Sequence, residues 1–192
     1  MITRPLYPLE PGGSAHAEDI HLGAAEGLTI EDRTAAPRFG LKGPGSADWL
    51  AANGVALPAI NRLARAGGLV VLRLGANDIT LLGDPGAPDA LDAVRRRWDM
   101  ASAPKGYSSW REESWAWLRL SGPRLNETLA RHCALDLRPG RFADDAIGQT
   151  RFAHVEAVLV RAGAGFDVLF DITATAGVLR DLRRAHRGHG HR

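Results

Sequence analysis

The chain has 192 residues, of which 45% are hydrophobic and 24% charged, and its formal net charge is +2. That length builds one domain or two small ones, and the composition is ordinary for a soluble globular protein. So small a net charge gives little global field for nucleic acid, and no apolar run approaches the roughly 20 residues of a membrane helix. A single cysteine, Cys133, excludes an internal disulfide and suits a reducing cytoplasm.

Residues 1–37, rich in Pro, Gly, Ala and acidic side chains, show no sustained period and predict an extended arm rather than a folded element. The start of that arm lacks the apolar core of a secretion signal. From Arg38 the pattern turns regular. Phe39 and Leu41 alternate with Gly40 and Lys42 as a short half-buried strand would, and Gly43-Pro44-Gly45 breaks it. Ser46 is placed to cap a helix over residues 47–53, with Gly54 as its stop. Leu69–Leu74 and Ile79–Leu82 predict two strands joined by a Gly75-Ala76-Asn77 hairpin turn. Beyond a turn at 84–88, Leu91, Val94 and Trp98 share one helical face, with Asp89 and Asp92 early and Arg95, Arg96 and Arg97 late, as the helix dipole favours.

The second half repeats this order. Trp115, Trp117 and Arg119 fall on one side of a strand, and Ala116, Leu118 and Leu120 on the other. Pro123 opens a helix carrying Leu125, Leu129 and Cys133 on one face. Strands follow over 152–162 and 166–172 around Gly163-Ala164-Gly165, and a last helix carries Val178, Leu182 and Ala185. The segments Arg38-Phe-Gly-Leu-Lys-Gly-Pro44 and Trp117-Leu-Arg-Leu-Ser-Gly-Pro123 read as copies, as do Val70-Val-Leu-Arg-Leu-Gly-Ala76 and Val158-Leu-Val-Arg-Ala-Gly-Ala164. A period of about 80 residues occurring twice marks a duplicated half-domain, since solenoid repeats are shorter. The predicted fold is therefore α+β: duplicated β-α-β-β-α units in mostly antiparallel sheets with helices on one face. The expected divisions are the arm at 1–37, a first repeat at 38–100, a second at 101–184 and a flexible His/Arg-rich tail at 185–192.

Few residues carry chemistry. There is no phosphate-cradling loop and no Gly-x-Gly-x-x-Gly turn, and one cysteine cannot build a cysteine-rich zinc site. His186, His189 and His191 crowd a glycine-rich tail, which organises a metal poorly. His154 and Glu156 would share one strand face, and Cys133 at an apolar helical position reads as a small core residue. No catalytic, cofactor-binding or metal residues are assigned. Trp98, Trp110, Trp115 and Trp117, with Tyr107, cluster at the junction of the halves. They either fill a core or form a protein–protein interface, where Trp, Tyr and Arg concentrate. Stacking on single-stranded nucleic acid would want a basic groove, yet Glu112 and Glu113 sit amid the cluster. Tyr107, Trp110, Trp115 and Trp117 are the candidate interface.

One family resemblance enters at the second copy. Leu118-Arg-Leu-Ser-Gly-Pro-Arg124, Leu129-Ala-Arg-His-Cys-Ala-Leu-Asp-Leu-Arg-Pro139, Phe142 and Gln149-Thr150 resemble the gamma subunit of heterotetrameric sarcosine oxidase. The likeness covers residues 114–184 well and 38–98 more weakly. Ala134 stands where that family usually has proline. The resemblance implies a fold similar to the folate-binding aminomethyltransferase of glycine cleavage. It implies alpha, beta and delta partner subunits carrying FAD, FMN, NAD, zinc and tetrahydrofolate, none bound by this chain alone. Such a complex oxidatively demethylates sarcosine or a related N-methyl amino acid and passes the one-carbon unit to tetrahydrofolate. A Val-Asp-Val-Ser-like strand usual in the family is replaced by Ala103-Pro-Lys-Gly-Tyr-Ser-Ser109, so no folate residue is assigned. Lys105-Gly106-Tyr107 is similar to part of a folate-binding maintenance-protein motif that centres on a cysteine lacking here. The expectation is a non-catalytic, cytoplasmic subunit without nucleic-acid or membrane partners. The alternatives are a free-standing folate-binding aminomethyltransferase-like protein and, more remotely, a nucleic-acid module using the basic tail.

Overall fold

The structure, a computed structural model, describes residues 20–22, 27–84, 87–98, 105–109 and 111–187. It divides into two compact units, each built on one antiparallel sheet. The N-terminal unit takes Ala36–Glu112 and Asp145–Ile147, and the C-terminal unit takes residues up to Ala35, Glu113–Asp144 and those from Gly148 onward.

In the N-terminal unit the chain runs β3 (Arg38–Lys42), α1 (Ser46–Ala52), β4 (Arg62–Ala66), β5 (Leu69–Gly75), β6 (Asp78–Gly83), α2 (Pro88–Arg97) and β7 (Tyr107–Ser108). The sheet order is β4-β5-β6-β3-β7. Phe39, Leu41, Leu69, Val71, Ile79 and Leu81 on one face pack with Trp49 and Leu50 of α1 and Leu91 and Val94 of α2. Trp98 seals this core edge-on to Trp49 (ring centroids 4.9 Å apart) and Phe39 (6.2 Å). It is a core residue. Ser46 does not cap α1, whose N-cap is Gly45, but Gly54 (φ +82°) does end the helix, as expected.

A short α3 (Arg111–Ser114) links the two units, and the C-terminal unit then follows the same order: β8 (Trp115–Ser121), α4 (Leu125–His132), β9 (Ile147–Phe152), β10 (Val155–Ala162), β11 (Gly165–Asp171), a 3₁₀ turn over Ile172–Ala174 and α5 (Thr175–Arg187). Ala116, Leu118, Leu120, Leu159, Phe166, Val168 and Phe170 face Leu125 and Leu129 of α4 and Val178, Leu179 and Leu182 of α5. α1 and α2 lie on one face of their sheet, and α4 and α5 on one face of theirs.

Three differences from the sequence-based expectation have physical causes. Each repeat is β-α-β-β-β-α, with one strand more than expected. In the first copy the extra strand is β4, whose only buried residue is Leu63, so it shows no apolar alternation. In the second copy the expected 152–162 strand is present as β10, and the extra strand is β9 before it, joined by a turn at Ala153-His154 with φ of +44° and +71°. The equivalent turn in the first copy is Gly67-Gly68 (φ +58° and +78°), and Ala-His gives no such signal. Next, the tail expected from residue 185 begins as helix, because α5 continues to Arg187. Finally, the arm expected over 1–37 is partly sheet: β1 (Ile20–Leu22) pairs with β2 (Leu28–Asp32), and β2 pairs with β8.

That last pairing reveals an exchange. β2 precedes the first repeat in sequence but joins the sheet of the second, whose order is β1-β2-β8-β11-β10-β9. β7 precedes the second repeat but pairs antiparallel with β3 of the first, Lys42 opposite Tyr107. The two crossings match in detail. Gly27 before β2 and Lys105 before β7 both have positive φ, +67° and +62°. They run against Gly122 (φ +112°) and Gly43 (φ +102°), the glycines of the two Gly-Pro copies. A Cβ on Gly122 would lie 2.6 Å from the Gly27 carbonyl oxygen, and one on Gly43 would overlap the Lys105 carbonyl oxygen.

The hairpin arginines of the two copies also share a task. Arg73 donates to the Pro58 carbonyl (3.0 Å), and Arg161 donates to the carbonyls of Leu137 (2.9 Å) and Phe142 (3.3 Å). Each guanidinium thus fixes the loop between the helix and the extra strand of its own repeat.

Gly122→Ala combines a disfavoured φ with a backbone collision, whereas Gly54→Ala meets open space and carries the φ penalty alone. Urea unfolding is expected to show a loss above about 2 kcal/mol for the first and about 1 kcal/mol for the second.

Candidate functional site

Because alternate strand residues point to opposite faces, Trp115, Trp117 and Arg119 of β8 lie on the face away from α4 and α5. Register places Glu31 of β2 and Asp167 of β11 on either side of Arg119. The Arg119 guanidinium binds Asp167 through two parallel bonds, Nε to Oδ1 and an Nη to Oδ2, both 2.8 Å. The Asp167 side chain is 6% exposed and that of Arg119 29%. Burial disfavours the Arg119 charge, but the hydrogen bond and charge of Asp167, aided by Glu31, overcome it and raise the guanidinium pKa.

Arg33 extends the row. Its Nε meets Glu31 Oε1 at 3.0 Å, and its guanidinium lies over the Trp117 ring, 5.3 Å from the centroid. The backbone beneath is clamped: Trp117 N–H donates to the Thr34 hydroxyl (2.9 Å), and Arg33 N–H donates to the Trp117 carbonyl (2.8 Å). Trp117 itself is 3% exposed, and its indole N–H finds no acceptor among the described residues.

The first-repeat positions that match Arg119 and Asp167 carry no charge. Gly40 stands where the second copy has Arg119, and it pairs with Thr80 as Arg119 pairs with Asp167. A Cβ on Gly40 would overlap the side chains of Arg111 and Ser109, which lie across the strand. Arg111 turns to Asp78 (3.1 Å), and the buried Arg38, at the Trp117 position, donates to the carbonyls of Ala36, Arg111 and Glu112. One copy therefore fills this strip with a chain crossing and the other with a buried ion pair. The sequence signal for the pair was Asp167, a carboxylate inside the apolar run Phe166–Phe170.

The candidate interface residues fall in separate places. Tyr107, on β7 of the N-terminal unit, is 50% exposed. Trp115 and Trp117 share one face of β8 in the C-terminal unit, the first partly buried and the second buried. Trp110 lies outside the described residues. So do His189 and His191. His154 sits in the β9–β10 turn rather than on a strand face with Glu156.

Cys133 is 8% exposed at the end of α4, where its sulfur accepts the Leu135 N–H at 3.4 Å. It borders a cleft of about 360 Å³ with Asn126, Leu129, Leu135 and Leu137. At this cleft the Arg138 side-chain hydrogen bond holds the Asp136 carboxyl down to about 2. Among the described residues no three His, Cys, Asp or Glu side chains come together as metal ligands would. No described helix is long and apolar enough to cross a membrane.

The sequence matches no protein-family model and no curated protein. Its fold is similar to solved structures. A chain of the heterotetrameric sarcosine oxidase of Corynebacterium sp. U-96, solved with pyrrole 2-carboxylate, superposes with a TM-score of 0.66 at 23% identity, over 85% of this chain and 88% of that one. Aminomethyltransferase T of the glycine cleavage system of Bartonella henselae gives a TM-score of 0.57 at 16% identity, over 81% of this chain but only 45% of that protein. The chain thus has an aminomethyltransferase-like α+β fold, as its sequence led us to expect.

Arg119→Ala is expected to cost about 2–3 kcal/mol in urea unfolding, because it strands a buried carboxylate, while Arg119→Leu combined with Asp167→Leu recovers most of that loss. An NMR titration of the Asp136 carboxyl should find a midpoint near 2. Arg138→Ala should raise that midpoint toward the ordinary aspartate value of about 3.9.

Proposed function

We propose that this chain is a non-catalytic, gamma-type subunit of a heterotetrameric sarcosine-oxidase-like complex. Its partners are alpha, beta and delta subunits that carry FAD, FMN, NAD, zinc and tetrahydrofolate, and the complex works in the cytoplasm. It demethylates sarcosine or a related N-methyl amino acid oxidatively and passes the one-carbon unit to tetrahydrofolate.

The observation that carries this reading is the difference in coverage. The chain spans 88% of the sarcosine oxidase chain it resembles but less than half of the aminomethyltransferase. A fold of the transferase type, cut to the size of an oxidase subunit, fits a component of an assembly better than a free-standing transferase. The charged groups also fit a scaffold. Arg119 and Asp167 hold one another in a bidentate pair across two strands, as a structural ion pair does. Tyr107, Trp110 and Trp115 stay candidates for the contact with larger subunits.

The second reading is a free-standing folate-binding aminomethyltransferase-like protein, favoured by the likeness to aminomethyltransferase T. Affinity purification from the native host at native expression separates the two. Co-elution of flavin absorbance and of three further chains with this one is the expected outcome. A stable lone chain that binds tetrahydrofolate saturably would replace the first reading with the second, and a lone monomer that binds none would overturn both.

A further inference from the structure

The two repeats treat the gap between their first helix and their hairpin differently. In the C-terminal unit the end of α4 is stitched to the β9–β10 turn. Cys133 bridges Phe152, and the Ala153 N–H donates to the His132 carbonyl at 3.0 Å. Phe152, fully buried, fills the space and packs 5.8 Å from the His132 ring. In the N-terminal unit the residue preceding the equivalent positive-φ turn is Ala66, and it is exposed. No backbone bond links the end of α1 to this hairpin among the described residues.

What remains is a cleft of about 300 Å³. Its apolar floor is Val55, Leu69, Val71 and Val94, and Ala66 stands at its rim. Arg97 closes one side. Its Nε donates to the Ala93 carbonyl (3.0 Å) and an Nη reaches the Asn53 carbonyl (3.4 Å), so it arches from α2 to the end of α1. Neither Arg97 nor the adjacent exposed Arg96 makes an ion pair among the described residues.

We propose that this cleft is a docking site for a segment of another protein, in which an aromatic or large aliphatic side chain enters and a neighbouring Asp or Glu pairs with Arg97. The shape of the occupant follows from the repeat, since the other copy puts a phenylalanine ring in the matching place. Its charge follows from the Arg97 guanidinium, which has no carboxylate partner among the described residues and stands beside an apolar floor, the mix found at interface anchors. A space of this size takes one or two side chains and lies at the lower bound of small-molecule pockets.

The inference goes beyond the proposed function and does not depend on it. Ala56, exposed on the cleft wall, is replaced by a photo-crosslinking benzoylphenylalanine in the otherwise intact chain, which is then irradiated in the growing native host. Mass spectrometry identifies the crosslinked peptide. The expected peptide comes from a different protein and carries a Phe, Tyr, Trp, Leu or Met within a few residues of Asp or Glu. Ala66→Phe, which fills the cleft from within, and Arg97→Glu, a surface change, should each reduce the crosslink about tenfold, equivalent to 1.4 kcal/mol. Thermal unfolding of both variants should match the parent, and if Ala66→Phe fails to fold, Arg97→Glu decides. No crosslink, a crosslink to a second copy, a peptide lacking a carboxylate, or a crosslink indifferent to Arg97→Glu overturns the assignment. A matching peptide from a protein unrelated to amine oxidation would keep the docking site and remove the sarcosine-oxidase-like reading.

Discussion

Each sheet of this protein is completed by a strand from outside its own repeat, and two glycines make that exchange feasible. At Gly43 and Gly122 the backbone turns through positive φ directly against the incoming Lys105 and Gly27 carbonyls, with no room for a Cβ. The rest of the fold depends on these crossings. β2 can pair with β8 only after the chain has travelled the whole first repeat, and the Thr34–Trp117 clamp joins residues 83 apart in sequence. Such pairings pay loop-closure entropy before they return contacts, which works against their forming early in folding.

Once the exchange is in place, the two copies diverge where they are otherwise most alike. The strip beside β3 is filled by Arg111 and Ser109 lying over Gly40, and the strip beside β8 holds Arg119 with Asp167. A buried ion pair is rarely worth more than well-packed apolar groups, because both charges must be desolvated. Its bidentate geometry across β8 and β11 instead selects one register of those two strands, since a one-residue slip would part Arg119 from the buried Asp167. The pair stands beside the strand that is exchanged, β2, which docks on β8.

The duplication, the fold class and most of the helical faces were legible in the sequence because they rest on local signals. Gly-Pro marks the strand ends, and Leu91 with Val94 or Leu125 with Leu129 repeats at helical spacing. Three kinds of feature were not legible. β4 escaped because an edge strand with one buried side chain carries no alternation. The Ala153-His154 turn escaped because tertiary context, not residue preference, holds both residues at positive φ. The strand within the expected arm escaped because its partner lies far along the chain, where periodicity has no reach. The tryptophans illustrate the same limit. Sequence spacing grouped Trp98 with Trp117, yet Trp98 packs on Trp49 in one core and Trp117 lies under Arg33 in the other unit.

The repeat also separates what is scaffold from what is free to meet a partner. Arg73 and Arg161 do the same work in both copies, fastening the loop that follows the first helix, so they explain stability and carry no distinction between the units. Phe152 and Ala66 occupy one position and differ. A buried phenylalanine ring secures the helix to the hairpin in the C-terminal unit, and its replacement by alanine forfeits that contact area in the N-terminal unit. Losing such a ring from a core ordinarily costs about 3–5 kcal/mol. The N-terminal unit tolerates the gap because the cleft opens to water rather than leaving an empty internal cavity, and the exposed Arg97 only reaches over its mouth. An open apolar cleft with a guanidinium at its lip that meets no carboxylate among the described residues gains more from an occupant than from staying empty, whereas in the C-terminal unit Phe152 already fills the matching gap.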